Sequence, residues 1–318
     1  MTNVYGRDIP ASPEAASMPR RLLGRTGARV SVVGFPGLAL MHLDQAESNA
    51  AVRHAITRGI NYFDVAPAYG KDGECEIKMG GALDGIDRDT YFLSCKSKCD
   101  DAEGLREELE RSLKRLKTDH FNLYQLHCLQ TKEEVEQALG PGGALEEIIK
   151  ARKEGKIKHI GFSAHTTAAA LTALDGHKFD TCMFPINFVE WFRFGFGKEV
   201  VAKAREKGTA VISIKPVSRG RWRKGVEKTH QWWYQPVTDP VEMQHAMRWT
   251  LSLPGVVTGI PVSFVDVLDK TIDGVKDLRA VTPKETKSLA GIAKDCEPIF
   301  ERGEKRLTLV TPHDRNVG

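Results

Sequence analysis

Residues 90–127 read TYFLSCKSKCDDAEGLREELERSLKRLKTDHFNLYQLH, and this stretch predicts a strand, a helix and a second strand. TYFLSC and FNLYQL are short apolar runs of strand length. Between them Leu105, Leu109, Leu113 and Leu116 recur on one helical face, with Asp101 placed as a cap and Lys114, Arg115 and Lys117 at the basic end. Two near-continuous apolar strands joined by a helix form the unit of a parallel sheet buried on both faces.

The same rhythm extends in both directions. VSVVGF (30–35), INYFDV (60–65), KHIGFS (158–163), TCMFPIN (181–187), TAVISI (209–214) and VVTGI (256–260) bring the number of strand-like runs to eight. Asp239-Pro240 with Glu242, and Thr282-Pro283 with Glu285, supply a cap, a first-turn proline and a reciprocal acceptor for two further helices. Gly59, Gly155 and Gly208 close helices just before the next strand. Eight repeats predict an α/β fold of the (β/α)8 TIM-barrel type. RRLLGRTGARVS (20–31), with its GRTG turn, predicts a hairpin that closes the barrel floor. Residues 1–19 are expected to be a flexible arm, 20–300 the barrel and 301–318 a polar tail.

Composition narrows the function classes. No apolar stretch approaches the roughly eighteen residues of a membrane span, and no basic start followed by an apolar run marks a signal peptide. The net charge of +4 comes mostly from basic residues alternating with acids on helical faces, which argues against a nucleic-acid partner. Six cysteines without CxxC spacing point to a reducing, cytoplasmic setting. Histidines and carboxylates show no metal-ligand spacing.

In such a barrel the C-terminal strand ends converge on one mouth. Asp64 and Tyr69 in NYFDVAPAYG, Lys96 in YFLSCKSK and His127 in NLYQLH then become neighbours. A tyrosine with a reference pKa of about 10 is a poor acid near neutrality. The Lys96 ammonium is expected to stabilise its phenolate, Asp64 to hold the lysine, and His127 to orient a substrate oxygen. Strand alternation leaves either Lys96 or Lys98 facing inward. The set delivers a proton to a carbonyl but contains no reductant, and no GxGxxG follows a strand to bind a dinucleotide in the Rossmann manner.

The chain resembles the aldo-keto reductase superfamily over roughly residues 20 to 295. RRLLGRTGARVSVVGFPGLAL is similar to its opening hairpin and first strand, GINYFDVAPAYGKDGECE to its Asp/Tyr motif, and RSLKRLKTDHFNLYQLH to its histidine motif. The FPIN and IKP signatures resemble a bacterial branch whose members can carry a cysteine-rich iron-sulfur tail; here only Cys296 stands in that region, so no cluster is expected. The resemblance implies Asp64, Tyr69, Lys96 and His127 as the catalytic tetrad, Tyr69 as general acid, and hydride from NADPH, less often NADH, to an aldehyde or ketone.

The cofactor contacts implied by the family are altered. Of the Ser-Asn pair that holds the carboxamide, Ser163 remains and Ala164 follows; Met183 replaces a glutamine, with His165 and Asn187 as substitutes. Lys215 aligns with the tyrosine that stacks on the nicotinamide. Ser263, Lys270 and Thr271 are the remaining candidates for the adenosine phosphate. Two long segments, FVEWFRFGFGKE (188–199) and SRGRWRKGVEKTHQWWYQPVTDP (218–240), are expected at the mouth. Met41, Trp191 and Phe192 are candidate substrate contacts, each as readily core or lid packing. Trp222, Trp232, Trp233 and Tyr234 beside Arg219, Arg221, Arg223 and Lys224 form a candidate nucleotide clamp or a plain surface lid.

Three functions compete on these residues: a monomeric carbonyl reductase acting on a small molecule, a nucleotide-holding redox sensor with poor turnover, and a lyase using Lys96 as a Schiff-base nucleophile.

Overall fold

The computed structural model describes residues 18–309; the arm expected over 1–19 lies almost wholly outside that span. The opening β1 (Arg20–Leu22) and β2 (Arg29–Ser31) pair antiparallel as the predicted hairpin. Eight parallel strands follow: β3 (Phe35–Pro36), β4 (Tyr62–Asp64), β5 (Phe92–Ser97), β6 (Phe121–Leu129), β7 (Ile157–Ala164), β8 (Thr181–Pro185), β9 (Ala210–Ile214) and β10 (Val256–Ile260). Each pairs with its sequence neighbour, and a bridge between Val33 and Gly259 joins the last strand to the first. The result is a (β/α)8 barrel with helices between successive strands.

The expected strand over 30–35 is divided in two. Ser31 receives Asn61 Oδ1 as acceptor for its N–H, and its hydroxyl donates to the Val33 carbonyl. These side-chain bonds occupy groups a continuous ladder would use, so the chain leaves the hairpin before entering the barrel. At the seam a Cβ on Gly34 would lie 2.3 Å from Ile260 Cδ1 and 2.8 Å from the Tyr62 ring, so any larger residue would have to displace these core side chains.

Alternation along the strands sorts the core. Tyr62, Phe92, Leu123, Met183 and Ile212 fill the barrel interior, where the Tyr62 and Phe92 rings stack 5.4 Å apart. Leu23 and Val30 of the hairpin join this cluster and close the floor. Phe63, Val65, Leu93, Cys95 and Tyr124 point the other way, into the layer between sheet and helices. The predicted helix is α3 (Ala102–Arg115), with the Asp101 carboxylate accepting from Gly104 N–H; Leu105 and Leu109 are fully buried. At the start of α9 (Pro240–Ser252) Asp239 caps as expected, but Glu242 does not reciprocate: its carboxylate is 3.0 Å from Arg219 instead. Where a tail was expected, a helix runs over Glu301–Leu309, and Glu304 accepts the Thr167 N–H.

Candidate active site

Period-two alternation brings Asp64 on β4, Lys96 on β5 and His127 on β6 to the inner face at the C-terminal rim. Pairing sets their level: Asp64 sits opposite Ser94 and Lys96 opposite Gln125. Tyr69 stands on the turn after β4. Lys96 Nζ donates to Asp64 Oδ2 at 2.5 Å and to the Tyr69 hydroxyl at 3.1 Å, while that hydroxyl lies 3.4 Å from Asp64 Oδ2. The Tyr69 and His127 rings meet edge to face, 5.7 Å apart. His127 is set by a bulge: the β6–β7 register shifts between Leu126 and Leu129, Cys128 takes a φ of 65°, and its N–H donates to Ser163 Oγ at 2.7 Å. The structure resolves the two lysines as well, since Lys98 lies past β5 on a separate cavity behind His127.

The electrostatics differ from the sequence expectation in one respect. Burial first and the Asp64 charge second push the Tyr69 phenol well above its ordinary value, where Lys96 was expected to lower it. Tyr69 therefore keeps its proton near neutral pH. Burial also raises Asp64, against the opposing pull of Lys96. His127 is held well below its ordinary value by burial and then by Lys96 and Lys98, so its imidazole is neutral. The arrangement pairs a protonated phenol with a neutral ring and a locked ammonium around one point.

A cavity of about 160 Å³ opens on the tetrad. Ser163, His165, Lys215 and Ser263 line it, as does Met183. The remaining sequence candidates stand elsewhere. Asn187 caps the helix α7 (Phe188–Phe194), and its Nδ2 is buried without a partner. Trp191 and Phe192 pack on Trp249, 5.5 and 5.3 Å away, because the amphipathic α7 turns its aromatic face to α9. Thr271 is fully buried in α10 (Val265–Gly274), where its hydroxyl donates to the Val267 carbonyl. Lys270, on the same helix, pairs with Asp266 at 3.0 Å outside the cavity. Met41 is 39% exposed on a short turn after β3 and is not on the cavity wall.

The 218–238 segment folds over the mouth, and its arginines do not form a free cationic clamp. Arg221 donates to the Pro298 and Ile299 carbonyls, Arg223 to that of Asp295, and Arg219 faces Glu242. Arg221 and Arg223 fasten the segment to the chain after α11 (Pro283–Lys294), and Arg219 ties it to α9. At its other side His230 pairs with Asp266 at 3.1 Å, and Trp232 packs on Phe264, itself stacked on His42 at 4.6 Å. Trp232, Trp233 and Tyr234 reach the cavity wall. Sequence reasoning did not single out Leu38, Ile214 or Pro261, which also line it; isolated apolar residues at strand ends carry no local signal.

A family model described as the aldo/keto reductase family matches residues 34–238. The chain belongs to that family. A relative from Glycine max, a probable aldo-keto reductase 1, is 28% identical over 219 residues, which are 62% of this chain and 59% of the relative. This aldo/keto reductase family member thus matches less than two thirds of that relative's length. Among solved structures, the holo form of a Bacillus halodurans aldo-keto reductase superposes with a TM-score of 0.70 at 20% identity, covering 90% of this chain and 99% of that one. An aldo-keto reductase from Klebsiella pneumoniae in complex with NADPH gives 0.66 at 21% identity, covering 87% and 96%. At such identities these structures establish the shared barrel. Among the described residues no helix is long and apolar enough to cross a membrane, and no group of three histidines, cysteines or carboxylates is placed to hold a metal.

Proposed function

We propose that this chain is a carbonyl reductase that uses NADPH in preference to NADH. The observation that carries the reading is the Lys96 ammonium bonded at once to Asp64 and to the Tyr69 hydroxyl, beside a neutral His127. His127 donates to the carbonyl oxygen of the substrate and holds it against Tyr69. As negative charge grows on that oxygen, Tyr69 gives up its proton, and Lys96 stabilises the phenolate that remains. General acid help of this type contributes about 10²- to 10⁴-fold.

The mouth fits a nicotinamide nucleotide in part. The Ser163 and Ser263 hydroxyls present polar groups along the wall, with Ile214 and Pro261 as apolar neighbours. When bound, the nucleotide supplies the hydride. The cavity of about 160 Å³ is smaller than the roughly 300–1,000 Å³ of ordinary ligand pockets, so the 218–238 segment must shift to admit the adenosine half. The lyase alternative is disfavoured because Lys96, wholly buried and held by a carboxylate, offers no free amine.

The test is oxidation of NADPH by purified protein over a panel of aromatic and aliphatic aldehydes, with Tyr69→Phe as control. Turnover that is lost in Tyr69→Phe while nucleotide binding persists is expected. Tight nucleotide binding with no turnover on any aldehyde would favour the redox-sensing alternative.

A further inference from the structure

Lys215 stands at the end of β9 with a φ of 58°, a left-handed turn that lysine adopts only under constraint, and it lines the tetrad cavity. Among the described residues no carboxylate reaches it within ion-pair distance. Its polar neighbour is His165, whose Nε2 is 3.5 Å from Lys215 Nζ. With the ammonium donating to Nε2, the ring proton sits on Nδ1, which is buried and has no partner. The Trp233 and Phe300 rings each lie 5.7 Å from Nζ and solvate the charge by their faces. Glu190, the nearest acid in electrostatic reach, is already engaged by the backbone N–H groups of Ile299 and Phe300.

The charge balance of the cavity follows directly. Among the described residues Asp64 is the one carboxylate on its wall, and Lys96 consumes it. Lys215 is left as a net positive charge, close enough to bear on both Lys96 and His127. A partly buried ammonium in an aromatic-walled cavity, without a counter-ion, is well placed to take one from a ligand. The arginines of the 218–238 segment do not share the work of holding an anion, since Arg221 and Arg223 are spent on carbonyls after α11 and Arg219 on Glu242.

We propose that Lys215 and His165 form an anion subsite beside the tetrad that selects carbonyl substrates bearing a carboxylate. Lys215 binds the carboxylate, His165 Nε2 accepts from its ammonium and orients it, and the aromatic walls exclude water around the pair. This rests on the carbonyl-reductase reading and names the substrate class of that site.

The test compares 4-carboxybenzaldehyde with benzaldehyde in the wild type, Lys215→Met and Lys215→Arg. Wild type is expected to prefer the carboxylated aldehyde in kcat/KM, and the preference should fall about 30-fold in Lys215→Met, the range of a charge-assisted hydrogen bond, and return in part in Lys215→Arg. A preference that does not change in Lys215→Met overturns the subsite. So does an unchanged preference accompanied by a large loss of NADP⁺ affinity, which would assign Lys215 to a cofactor phosphate. Should Lys215→Met fail to fold, quenching of the wild-type tryptophan fluorescence by benzoate and by benzamide decides: benzoate must bind at least about tenfold tighter, and equal binding overturns the proposal. Absence of turnover on both aldehydes sinks the reductase reading alone, because the benzoate measurement stands without turnover.

Discussion

The buried pair at the centre of the site makes a prediction that can be worked through in energy. Lys96 is wholly buried and Asp64 nearly so, with 2.5 Å between Nζ and Oδ2. Lys96→Met keeps most of the side-chain volume and removes the charge. The abandoned carboxylate then faces burial with its strongest counterweight gone, and breaking such a pair typically costs about 3–5 kcal/mol. Asp64 has one escape, which is to take a proton. For a carboxyl with a reference pKa near 3.9, that costs about 4 kcal/mol at pH 7 and about 1.5 kcal/mol at pH 5. The sign is fixed: a folded-state pKa raised above the unfolded value means stability is lost as pH rises above the unfolded pKa. The deficit of Lys96→Met relative to wild type should therefore grow by roughly 1.4 kcal/mol per pH unit between pH 5 and 7. Lys96→Met/Asp64→Asn, which has no stranded charge, should recover about 2 kcal/mol at pH 7 and lose the pH dependence. Urea unfolding of the three proteins at pH 5, 6 and 7 measures this, while carbonyl turnover stays low in both variants. A deficit that is flat with pH, or a double variant no more stable than Lys96→Met, would refute the account of a mutually compensating buried pair.

Other expectations can be checked alongside it. His127 and His165 are both held well below the ordinary histidine value, burial being the main cause; wild-type stability should accordingly fall as pH drops below about 6.5, where the unfolded chain takes up protons that the folded one refuses, as a pH series of melting temperatures will show. Burial lowers Lys215 to about 8, opposed by Cys128 and Glu190 and reinforced by Lys96, with His165 as its uncharged neighbour; KM for a carboxylated aldehyde should rise above that pH while KM for a neutral one stays level. A Cβ on Gly37 would stand 2.3 Å from the Asp64 carbonyl oxygen, so Gly37→Ala should cost about 1–3 kcal/mol in denaturant unfolding and reduce turnover by shifting Asp64. Burial works against ionisation of Asp266, but hydrogen bonds from His230 and Lys270 outweigh it and hold the carboxyl below its usual range; Asp266→Asn should speed NADPH association in stopped-flow fluorescence severalfold, with a stability change of about 1 kcal/mol, since the Asp266 carboxylate itself is half-exposed while the His230 ring is largely buried.

What was legible in the chain is what short-range periodicity encodes. Apolar runs of strand length, leucines at helical spacing and caps such as Asp101 and Thr282 are local, and they yield the barrel together with the rim positions of Asp64, Tyr69, Lys96 and His127. Alternation could not choose between Lys96 and Lys98, which share a parity; the end of β5 and the reach to Asp64 chose. Where the chain left two readings open, the choice depends on contacts outside the local pattern. Arg221 and Arg223, read as nucleotide clamp or surface lid, donate to backbone carbonyls more than seventy residues away. Trp191 and Phe192, read as substrate contacts or packing, lie on Trp249 of α9, and Thr271 is buried within α10. Sequence by itself determined which side chains gather at the rim, because strand alternation sets which of them face inward there. Only the tertiary structure decided the charge of the cavity, because a net charge depends on which carboxylates arrive from elsewhere, and here one arrives for Lys96 and none for Lys215.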